Sequence, residues 1–405
     1  MTPWLSVVGI GEDGLDGLSP SARALVDAAE VLVGGARHLA MVPEDGPGTR
    51  RERLAWPKPM DAVIPEIVSR RGKRVCVLAS GDPSCFGAAR KLLRAVPLQE
   101  MAIVPAPSAF SLACARLGWS LPDVESLSLH WRPIAGLQSH VLPGNRLVIL
   151  SRDSETPGQI AALLRARGYG RSRMAVLGRM GGPQETRVDG LAASWNANEL
   201  PDLNVVAVEC VADPGAPLLA RVPGLPDDAF RNDGQLTKRE LRAACLAALA
   251  PVPGQRLWDV GAGCGSIAIE WLRAEPRAGA IAIERKSERI ALIAENVAAL
   301  GVPELEVREG EAPAALQCLP PPDAVFIGGG LGIEGVFETC WKALSPGGRL
   351  VANAVTLDGE AALLAWHAQV GGSLTRIAVS RAEPLGNRLA WRPLMPVTQF
   401  AAVKR

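Results

Sequence analysis

The chain is poor in the residues that metal centres and disulfide scaffolds require. It has only 4 His among 405 residues, none at metal-site spacing, and its 8 Cys include no C-x-x-C pair. This pattern predicts reduced, mostly buried thiols and no metal centre. No signal peptide is recognisable, so we expect a cytoplasmic protein. No apolar run reaches the roughly 18 residues of a membrane span, which predicts no membrane segment.

An excess of charge of one sign is also missing. The 43 Lys and Arg nearly balance the 42 Asp and Glu, for a formal net charge of +1. This balance argues against a nucleic-acid binder that works through bulk charge. Most of the basic residues are arginines, which suit bidentate binding of carboxylates. The composition is otherwise ordinary for a globular protein, and the length allows two or three domains.

A segment rich in proline and glycine divides the chain. Prolines and glycines recur through residues 213–228, where they prevent a helix or a central strand. We therefore predict a first domain at 1–212, a linker at 213–228 and a second domain at 229–405. Strand and helix patterns alternate in both halves, which predicts an α/β fold. In the second half they predict a doubly wound, mostly parallel sheet.

The most informative motif is a glycine-rich loop at 261–265. It follows an apolar strand at 256–260, and the next predicted strand, 280–284, ends on Glu284. In a parallel sheet both features fall at the carboxyl ends of adjacent strands, where ligands bind. The glycines let a ligand approach the backbone, and the carboxylate can bond a ribose hydroxyl pair. The loop therefore predicts a nucleoside site.

The spacing of the glycines favours S-adenosylmethionine as that nucleoside. A dinucleotide site has the pattern G-x-G-x-x-G/A, whereas here the third glycine comes one residue early and Ser266 takes the third small position. G-x-G-x-G led by an acid, Asp259, is the form used for S-adenosylmethionine, which carries no phosphate. A NAD-dependent reductase and a glycine turn with only a packing role remain as alternatives.

The first half carries three weaker signals. Residues 9–14 match G-x-G-x-x-G, but we predict that the helix starts only at Ser19-Pro20, too far away to present phosphate to its N-terminus. Ser80-Gly81-Asp82-Pro83 follows a strand and has the chemistry of a turn. Ser108-Ala109 opens a helix that ends near 117. In the second half, residues 237–240 predict a capping box that opens a helix.

Taken in chain order, these motifs resemble two families of corrin-ring methyltransferases. Residues 1–212 are similar to the tetrapyrrole methylases, on the loop at 8–11, on Ser80–Pro83 and on Ser108-Ala109. Residues 229–405 resemble the class I precorrin methyltransferases that also decarboxylate. The motifs that carry this second resemblance are Thr237-Lys238, 258–265, 282–285, 310–313 and 323–329. The resemblance implies a tetrapyrrole-methylase fold of two α/β subdomains with a cleft, followed by a Rossmann-like class I methyltransferase.

The same resemblance implies the reaction. The chain would methylate precorrin-6Y at C5 and C15 and remove the carboxylate of the C12 acetate in cobalamin biosynthesis, with S-adenosylmethionine as methyl donor. C5 would belong to the first half, and C15 with decarboxylation to the second. In the alternative, only the second half is catalytic and the first is a tetrapyrrole-binding scaffold. We expect a homo-oligomer without nucleic-acid or membrane partners.

The resemblance also implies which residues hold the methyl donor. In the second half these are Thr237, Gly261, Ala262, Gly263, Cys264, Gly265, Glu284 on the ribose and Ala312 beside the adenine. In the first half the corresponding loops contain Glu12, Ser80, Gly81, Asp82, Ser108 and Ala109. Two of these depart from the family pattern, because Glu12 stands where proline is common and Ala109 lacks the second hydroxyl of a usual pair.

Catalytic side chains are harder to predict. Methyl transfer is an in-line displacement in which positioning supplies much of the catalysis, which fits the lack of a Ser-His-Asp or Cys-His pattern. His130 and Asn353 are the candidates, with a buried structural histidine and a turn residue as the alternatives. Arg132, Arg285 and Arg381 are candidates for binding substrate carboxylates. Trp131, where glycine is common, is expected either to shape the macrocycle site or to pack.

Overall fold

The computed structural model describes residues 3–44, 51–57 and 60–405. The chain divides into two compact units. The first consists of the residues up to Ile134 together with Pro143–Pro217, and the second of Ala135–Leu142 with Leu218–Arg405. None of the helices among the described residues is long and apolar enough to span a bilayer.

Among the described residues, the first unit contains two five-stranded sheets. Its strands are β1 (Leu5–Ile10), β2 (Val31–Gly34), β3 (Glu52–Ala55), β4 (Val75–Ser80), β5 (Met101–Val104), β6 (Glu125–Ser128), β7 (Arg146–Leu150), β8 (Arg173–Gly178), β9 (Thr186–Leu191) and β10 (Asn204–Glu209). Its α-helices are α1 (Pro20–Asp27), α2 (Ala36–Ala40), α3 (Ile64–Val68), α4 (Ala89–Leu92), α5 (Ala109–Leu117) and α6 (Thr156–Ala166).

The first sheet is parallel and has the order β3-β2-β4-β1-β5. Strands β1 and β2 are buried along their whole length, as expected where a parallel sheet is covered on both faces. The second sheet has the order β6-β7-β10-β8-β9 and is mostly antiparallel. This pair of sheets is the expected arrangement of two α/β subdomains.

Helix α1 confirms why the first glycine motif is not a dinucleotide site. Ser19 is its N-cap and accepts a hydrogen bond from the Ala22 N–H, and Pro20 is the first helical residue. A loop with a 3-10 turn at Gly14–Gly17 therefore separates the glycines from the helix N-terminus. Phosphate on the loop would not meet that N-terminus.

The second unit is built on one seven-stranded sheet and a separate hairpin. Its strands are β11 (Arg256–Val260), β12 (Gly279–Glu284), β13 (Glu306–Glu309), β14 (Ala324–Ile327), β15 (Arg349–Ala354), β16 (Ser373–Ile377), β17 (Ser380–Leu385), β18 (Arg388–Pro393) and β19 (Val397–Val403). Its α-helices are α7 (Arg239–Leu249), α8 (Ser266–Ala274), α9 (Ser287–Leu300), α10 (Val336–Ala343) and α11 (Leu357–Val370).

The order β13-β12-β11-β14-β15-β19-β16 gives a doubly wound sheet. Its five leading strands are parallel, and β19 runs antiparallel to β15 and β16. The strand order reverses between β11 and β14, and ligands bind at such a switch point, outside the carboxyl ends of the strands. The predicted α/β fold class is confirmed.

Two local predictions in this unit are wrong. The capping box at 237–240 does not form, because Lys238 is the N-cap of α7 and makes no side-chain cap. Asp227 instead accepts the Arg239 N–H through its carboxylate at 2.9 Å, so the cap comes from twelve residues away. The second wrong prediction is that of a single sheet, because the hairpin β17–β18 forms a separate two-stranded sheet that was not predicted.

The second half of the proline-rich segment is part of the second unit's core. Leu219 and Leu225 are buried there. The backbone N–H groups of Gly224 and Leu225 donate to the Glu270 carboxylate at 2.6 and 3.0 Å. The carboxylate also receives the Arg242 Nε at 2.9 Å, and both of these side chains are almost fully buried. Arg242 therefore compensates a buried charge that fixes the segment onto α7 and α8.

We predict that Arg242→Ala strongly destabilises the second unit. Removing one member of a buried ion pair leaves the other charge uncompensated and typically costs about 3–5 kcal/mol. Urea unfolding of the full-length protein measures the loss. The matched control is Arg277→Ala, whose guanidinium is 76% exposed beside Glu275 and should cost less than about 1 kcal/mol. Equal losses for the two variants would contradict the assigned role of Arg242.

Candidate active sites

The first unit encloses a cavity of about 340 Å³ at the carboxyl edge of its parallel sheet. The loops that follow β1, β2, β4 and β5 line one side of it, and residues of the second sheet line the other. All six residues predicted for the donor site of this half are among the lining residues: Glu12, Ser80, Gly81, Asp82, Ser108 and Ala109.

Close backbone contacts at Gly81, one of the lining residues, leave no room for side chains. A Cβ on Gly9 would lie 1.9 Å from the Gly81 carbonyl oxygen and 2.6 Å from the Ala106 nitrogen. Gly81 has a φ of +56°, and its N–H donates to the Ile10 carbonyl at 3.0 Å. Glycine is therefore required at both positions for the loops after β1 and β4 to meet.

Local hydrogen bonds shape the other two loops. The Asp82 carboxylate accepts the Ser84 N–H at 2.8 Å, which is the predicted turn chemistry. Ser108 is the N-cap of α5 and accepts the Ser111 N–H. The Ser111 hydroxyl lies 2.9 Å from that of Ser108. Ser111, which we did not predict, thus helps to fix the Ser108 side chain at the start of α5.

Two cavity residues that we did not predict, Arg37 and His38, come from the loop and helix after β2. Arg37 forms an ion pair with Glu12 and donates to the Ser80 hydroxyl at 2.9 Å. The His38 Nε2 also lies 2.9 Å from that hydroxyl. Burial and, secondarily, the charge of Arg37 lower the pKa of His38 to about 4. His38 is therefore neutral at pH 7, and Arg37 carries the positive charge of this cluster.

His130 lines the same cavity and is exposed. The buried structural histidine that we weighed against a catalytic one is therefore wrong. Its Nδ1 lies 3.1 Å from the Ser151 carbonyl oxygen, and a carbonyl can only accept. Nδ1 therefore carries the proton, which leaves Nε2 as the acceptor in a neutral ring. The neighbouring Trp131 is 84% exposed with a φ of +65°, so it does not pack into the core.

In the second unit, the predicted glycine loop lies at the switch point, between β11 and α8. Gly261, Gly263 and Gly265 all have positive φ. A Cβ on Gly261 would lie 2.9 Å from Gly329, so this glycine is needed for packing. A Cβ on Gly263 would meet nothing closer than 3.9 Å. Gly263 therefore faces open space, into which a ligand can approach the backbone.

The remaining loop residues differ in what they offer a ligand. Cys264 is buried in the core, and its carbonyl accepts from the Asn296 amide at 3.0 Å. Burial raises the pKa of its thiol, so this side chain is an inert apolar group. Ala262 is half-buried and packs on the same core. Gly265 is the N-cap of α8.

Glu284 is positioned by backbone N–H groups. One carboxylate oxygen accepts from Gly263 at 2.8 Å, and the other accepts from Arg285 and Lys286 at 3.0 Å each. These bonds fix the carboxylate at the carboxyl end of β12, directly beside the glycine loop. Each carboxylate oxygen has two acceptor positions, so the oxygen facing Gly263 can still accept a ribose hydroxyl.

Thr237 and Ala312 border the same edge of the sheet. The Gln235 carbonyl is the nearest group to the open side of Gly263. The Arg289 guanidinium holds that loop through Asp233 at 2.7 Å. Thr237 follows the loop and is half-buried. Ala312 follows β13 and packs against a hydrophobic cluster of the second unit. The residues predicted for this half therefore come from loops at one end of one sheet.

Known families match both halves of the chain. The family model described as Tetrapyrrole (Corrin/Porphyrin) Methylases matches residues 5–195, and that of the Precorrin methyltransferase domain matches residues 228–404. A precorrin-6Y C(5,15)-methyltransferase [decarboxylating] from Sinorhizobium sp is 48% identical over 100% of this chain and 97% of its own length. The chain belongs to the precorrin-6Y C5,15-methyltransferase (decarboxylating) family.

Two shorter relatives each cover part of the chain. A cobalt-precorrin-7 C(5)-methyltransferase from Salmonella typhimurium is 33% identical over 50% of this chain and 98% of its own length. A probable cobalt-precorrin-6B C(15)-methyltransferase (decarboxylating) from Saccharolobus solfataricus is 34% identical over 34% of this chain and 72% of its own length. The resemblance predicted from the motifs is confirmed for both halves.

Within this precorrin methyltransferase, both ends of the Asn353 amide contact other side chains of the second unit. Its amide nitrogen lies 3.0 Å from the Cys245 sulfur, and its oxygen accepts from Gln399 at 3.2 Å. It belongs to strand β15, so the alternative of a turn residue is wrong. The contacts join β15, β19 and α7 and indicate a structural role.

The three arginines that are candidates for binding substrate carboxylates contact carboxylates or an aromatic ring of the chain itself. Arg381 pairs with Asp227 and Glu240, so its charge is already compensated. Arg285 is exposed and lies 3.2 Å from Glu311. The Arg132 guanidinium lies over the Phe86 ring at 5.9 Å. Among the described residues, no cluster of His, Cys, Asp or Glu could hold a metal ion.

The buried carboxyl of Asp259 predicts a pH-dependent stability. Burial, together with the charge of Glu284, raises its pKa from 3.8 to about 7, although the Ala268 N–H opposes the shift. Between these two values the folded state holds a proton that the unfolded state has lost. The stability contributed by this proton therefore decreases as the pH rises from about 4 to 7.

We expect Asp259→Asn to remove this dependence, because an amide does not titrate. From pH 5 to pH 8, the unfolding free energy of the natural protein should fall relative to that of the variant. From pH 8 to pH 9 the difference between the two should stay constant. Urea unfolding at the three pH values measures it. A difference that is the same at pH 5 and pH 8 would rule out a protonated Asp259.

Proposed function

We propose that this protein transfers two methyl groups to precorrin-6Y, at C5 and at C15, and removes the carboxylate of its C12 acetate side chain. The observation that carries the proposal is that one chain holds two glycine-lined loops, each at the carboxyl edge of its own parallel sheet. The family membership supports the same substrate. The full-length Sinorhizobium relative is named for both methylations and for decarboxylation.

S-adenosylmethionine, when bound, supplies a sulfonium methyl group that a ring carbon of the substrate takes with release of S-adenosylhomocysteine. The chain's own residues position and enclose the two reactants, which can contribute about 7–11 kcal/mol to such a step. In the second unit, the open side of Gly263 and the Glu284 carboxylate fit the donor's nucleoside. In the first unit, the backbone around Gly81 and the loop at Ser108 and Ala109 fit it.

The two reactions are divided between the halves. We assign C5 methylation to residues 1–212, and C15 methylation with decarboxylation to residues 229–405. Shorter relatives that are each named for one of the two methylations, the C(15) relative also for decarboxylation, support this division. Two separate donor-binding loops give the same division a physical basis.

Proton transfer places different demands on the two sites. A ring carbon that gains a methyl group loses its proton, and His130 Nε2 is an acceptor that lines the first cavity. We propose His130 for that proton. In the decarboxylation, the C–C bond breaks, carbon dioxide leaves, and the electron pair enters the conjugated macrocycle before a proton is added. The protein needs only to hold the carboxylate away from water and admit that proton.

The expectations about location, assembly and partners are unchanged. A cytoplasmic location and a homo-oligomeric assembly remain predictions from the sequence, as do the absence of nucleic-acid and membrane partners. The NAD-dependent reductase is set aside by membership in the methyltransferase family. The alternative that the first half is a scaffold without activity remains, and variants of the two glycine loops test it.

Substitution of one glycine in each loop separates the two sites. We expect the full-length protein to bind two equivalents of S-adenosylhomocysteine, and Gly81→Arg and Gly263→Arg to bind one each. At Gly263 the new side chain fills the donor's place, whereas at Gly81 it meets the backbone of Pro107 and Ser108 and displaces the loop that forms the donor site. Isothermal titration calorimetry measures the stoichiometry. Gly118→Arg and Gly254→Arg are matched controls, since both positions have positive φ and open space but lie outside the two sites.

The product of each variant then identifies the reaction of each half. With precorrin-6Y, we expect Gly81→Arg to give a decarboxylated product that lacks the C5 methyl group, and Gly263→Arg to retain the C12 carboxylate. Mass spectrometry and NMR of the product distinguish the outcomes. If the natural protein binds only one equivalent and Gly81→Arg still adds both methyl groups, the first half is a scaffold.

A further inference from the structure

The first cavity contains an ion pair that the donor site does not require. Glu12 follows β1, and Arg37 and His38 follow β2, while Ser80 ends β4. These three strands are neighbours in the sheet, in the order β2-β4-β1, so their carboxyl ends lie side by side. All four side chains line the cavity and are joined by hydrogen bonds.

This pair differs from the structural ion pair of the second unit. The Arg242 and Glu270 side chains are 0% and 2% exposed, and Arg242 donates to two carboxylates and two backbone carbonyls. Arg37 and Glu12 are 39% and 18% exposed. The partners of Arg37 besides Glu12 are one hydroxyl and one neutral imidazole. Glu12 is thus the one anionic group that the described residues provide for Arg37.

We propose that Arg37 binds a carboxylate of the ligand in this cavity, and that Glu12 occupies the place of that carboxylate while the cavity is empty. A guanidinium presents paired donors that match a carboxylate in two hydrogen bonds. The side chain of Glu12 offers the same group as the acid side chains of a tetrapyrrole.

The neighbours of Arg37 suit an exchange of one carboxylate for another. The positive charge of Arg37 stays compensated before and after the exchange, so the guanidinium is not left unpaired in a partly buried site. His38 is uncharged at neutral pH and does not compete for the anion, while its bond to Ser80 fixes the hydroxyl that Arg37 also contacts. Arg179 also lines the cavity, but its guanidinium contacts the Gln184 amide.

Two ligands of the proposed reaction carry a suitable carboxylate. One is the tetrapyrrole, through its acetate and propionate side chains, and the other is the amino-acid end of the methyl donor. The inference rests on the proposed function for the presence of these ligands. The two sources predict different changes in measured constants and are therefore separable in one set of variants.

The test compares Arg37→Gln with Glu12→Gln in the full-length enzyme. Arg37→Gln should raise the KM for the tetrapyrrole in C5 methylation at least about tenfold, because a charge-assisted pair is lost. Glu12→Gln should lower the same KM, because Arg37 becomes available in a larger fraction of molecules. If the donor is the source, the dissociation constant of S-adenosylhomocysteine at the first site changes in these two directions instead.

The opposite signs distinguish ligand binding from a merely structural ion pair. A structural pair predicts that both variants lose stability and activity together, and that result overturns the proposal. Unchanged constants in a folded Arg37→Gln variant also overturn it. Arg23→Gln, which breaks an exposed pair with Asp27 on α1, is the matched control and should leave the constants unchanged.

The same samples also test the proposed function of the first half. If the natural enzyme adds no methyl group at C5, the proposed function of this half fails, whatever the variants do. If the natural enzyme methylates C5 and Gly81→Arg abolishes this, but Arg37→Gln has no effect, only the present inference fails. Methylation at C15 is an internal control for the integrity of every variant.

Discussion

Both candidate sites depend on backbone meeting backbone where two strands end. A Cβ on Gly9 would overlap the Gly81 carbonyl, and a Cβ on Gly261 would lie 2.9 Å from Gly329. Adjacent parallel strands bring their carboxyl ends to the same edge of a sheet, and only glycine lets the following loops approach so closely. Because side chains are excluded there, the backbone itself forms the surface that receives a ligand. In the second unit, the backbone N–H of Gly263 in one of these loops also holds the Glu284 carboxylate at the end of the next strand.

The two ion pairs show how burial changes the role of a charge. Arg242 and Glu270 are withdrawn from water and have their hydrogen-bonding positions filled by backbone and side-chain groups, so the pair fixes one arrangement of the chain. Arg37 and Glu12 remain partly exposed at a cavity, so their desolvation is incomplete and another anion can reach the guanidinium. Two ion pairs with the same net charge therefore have different roles in the two units. The second unit gains a fixed segment, whereas the first gains an adaptable surface.

Features that depend on local sequence could be predicted, and those that depend on sheet order could not. Ser19 and Ser108 cap their helices as expected, because the capping bond spans three residues. The glycine loop and Glu284 follow strands whose apolar runs are visible in the sequence. Arg37 could not be found in this way, because β2 lies beside β4 through pairing across more than forty residues. The carboxylate that receives the Arg239 N–H belongs to Asp227, twelve residues away, which also lies beyond the span of a local capping pattern.

The near-neutral charge of the chain bears on how it would select an acidic macrocycle. Bulk attraction is weak at a net charge of +1, so selection must come from a few cations placed where the ligand lies. Most arginines described in the second unit are compensated by carboxylates or carbonyls, as Arg242, Arg289 and Arg381 are. A guanidinium that is paired with a replaceable carboxylate adds no net charge to the empty protein. It still offers a binding position for a carboxylate of the ligand. The arrangement of charges, more than their number, then decides which ligand binds.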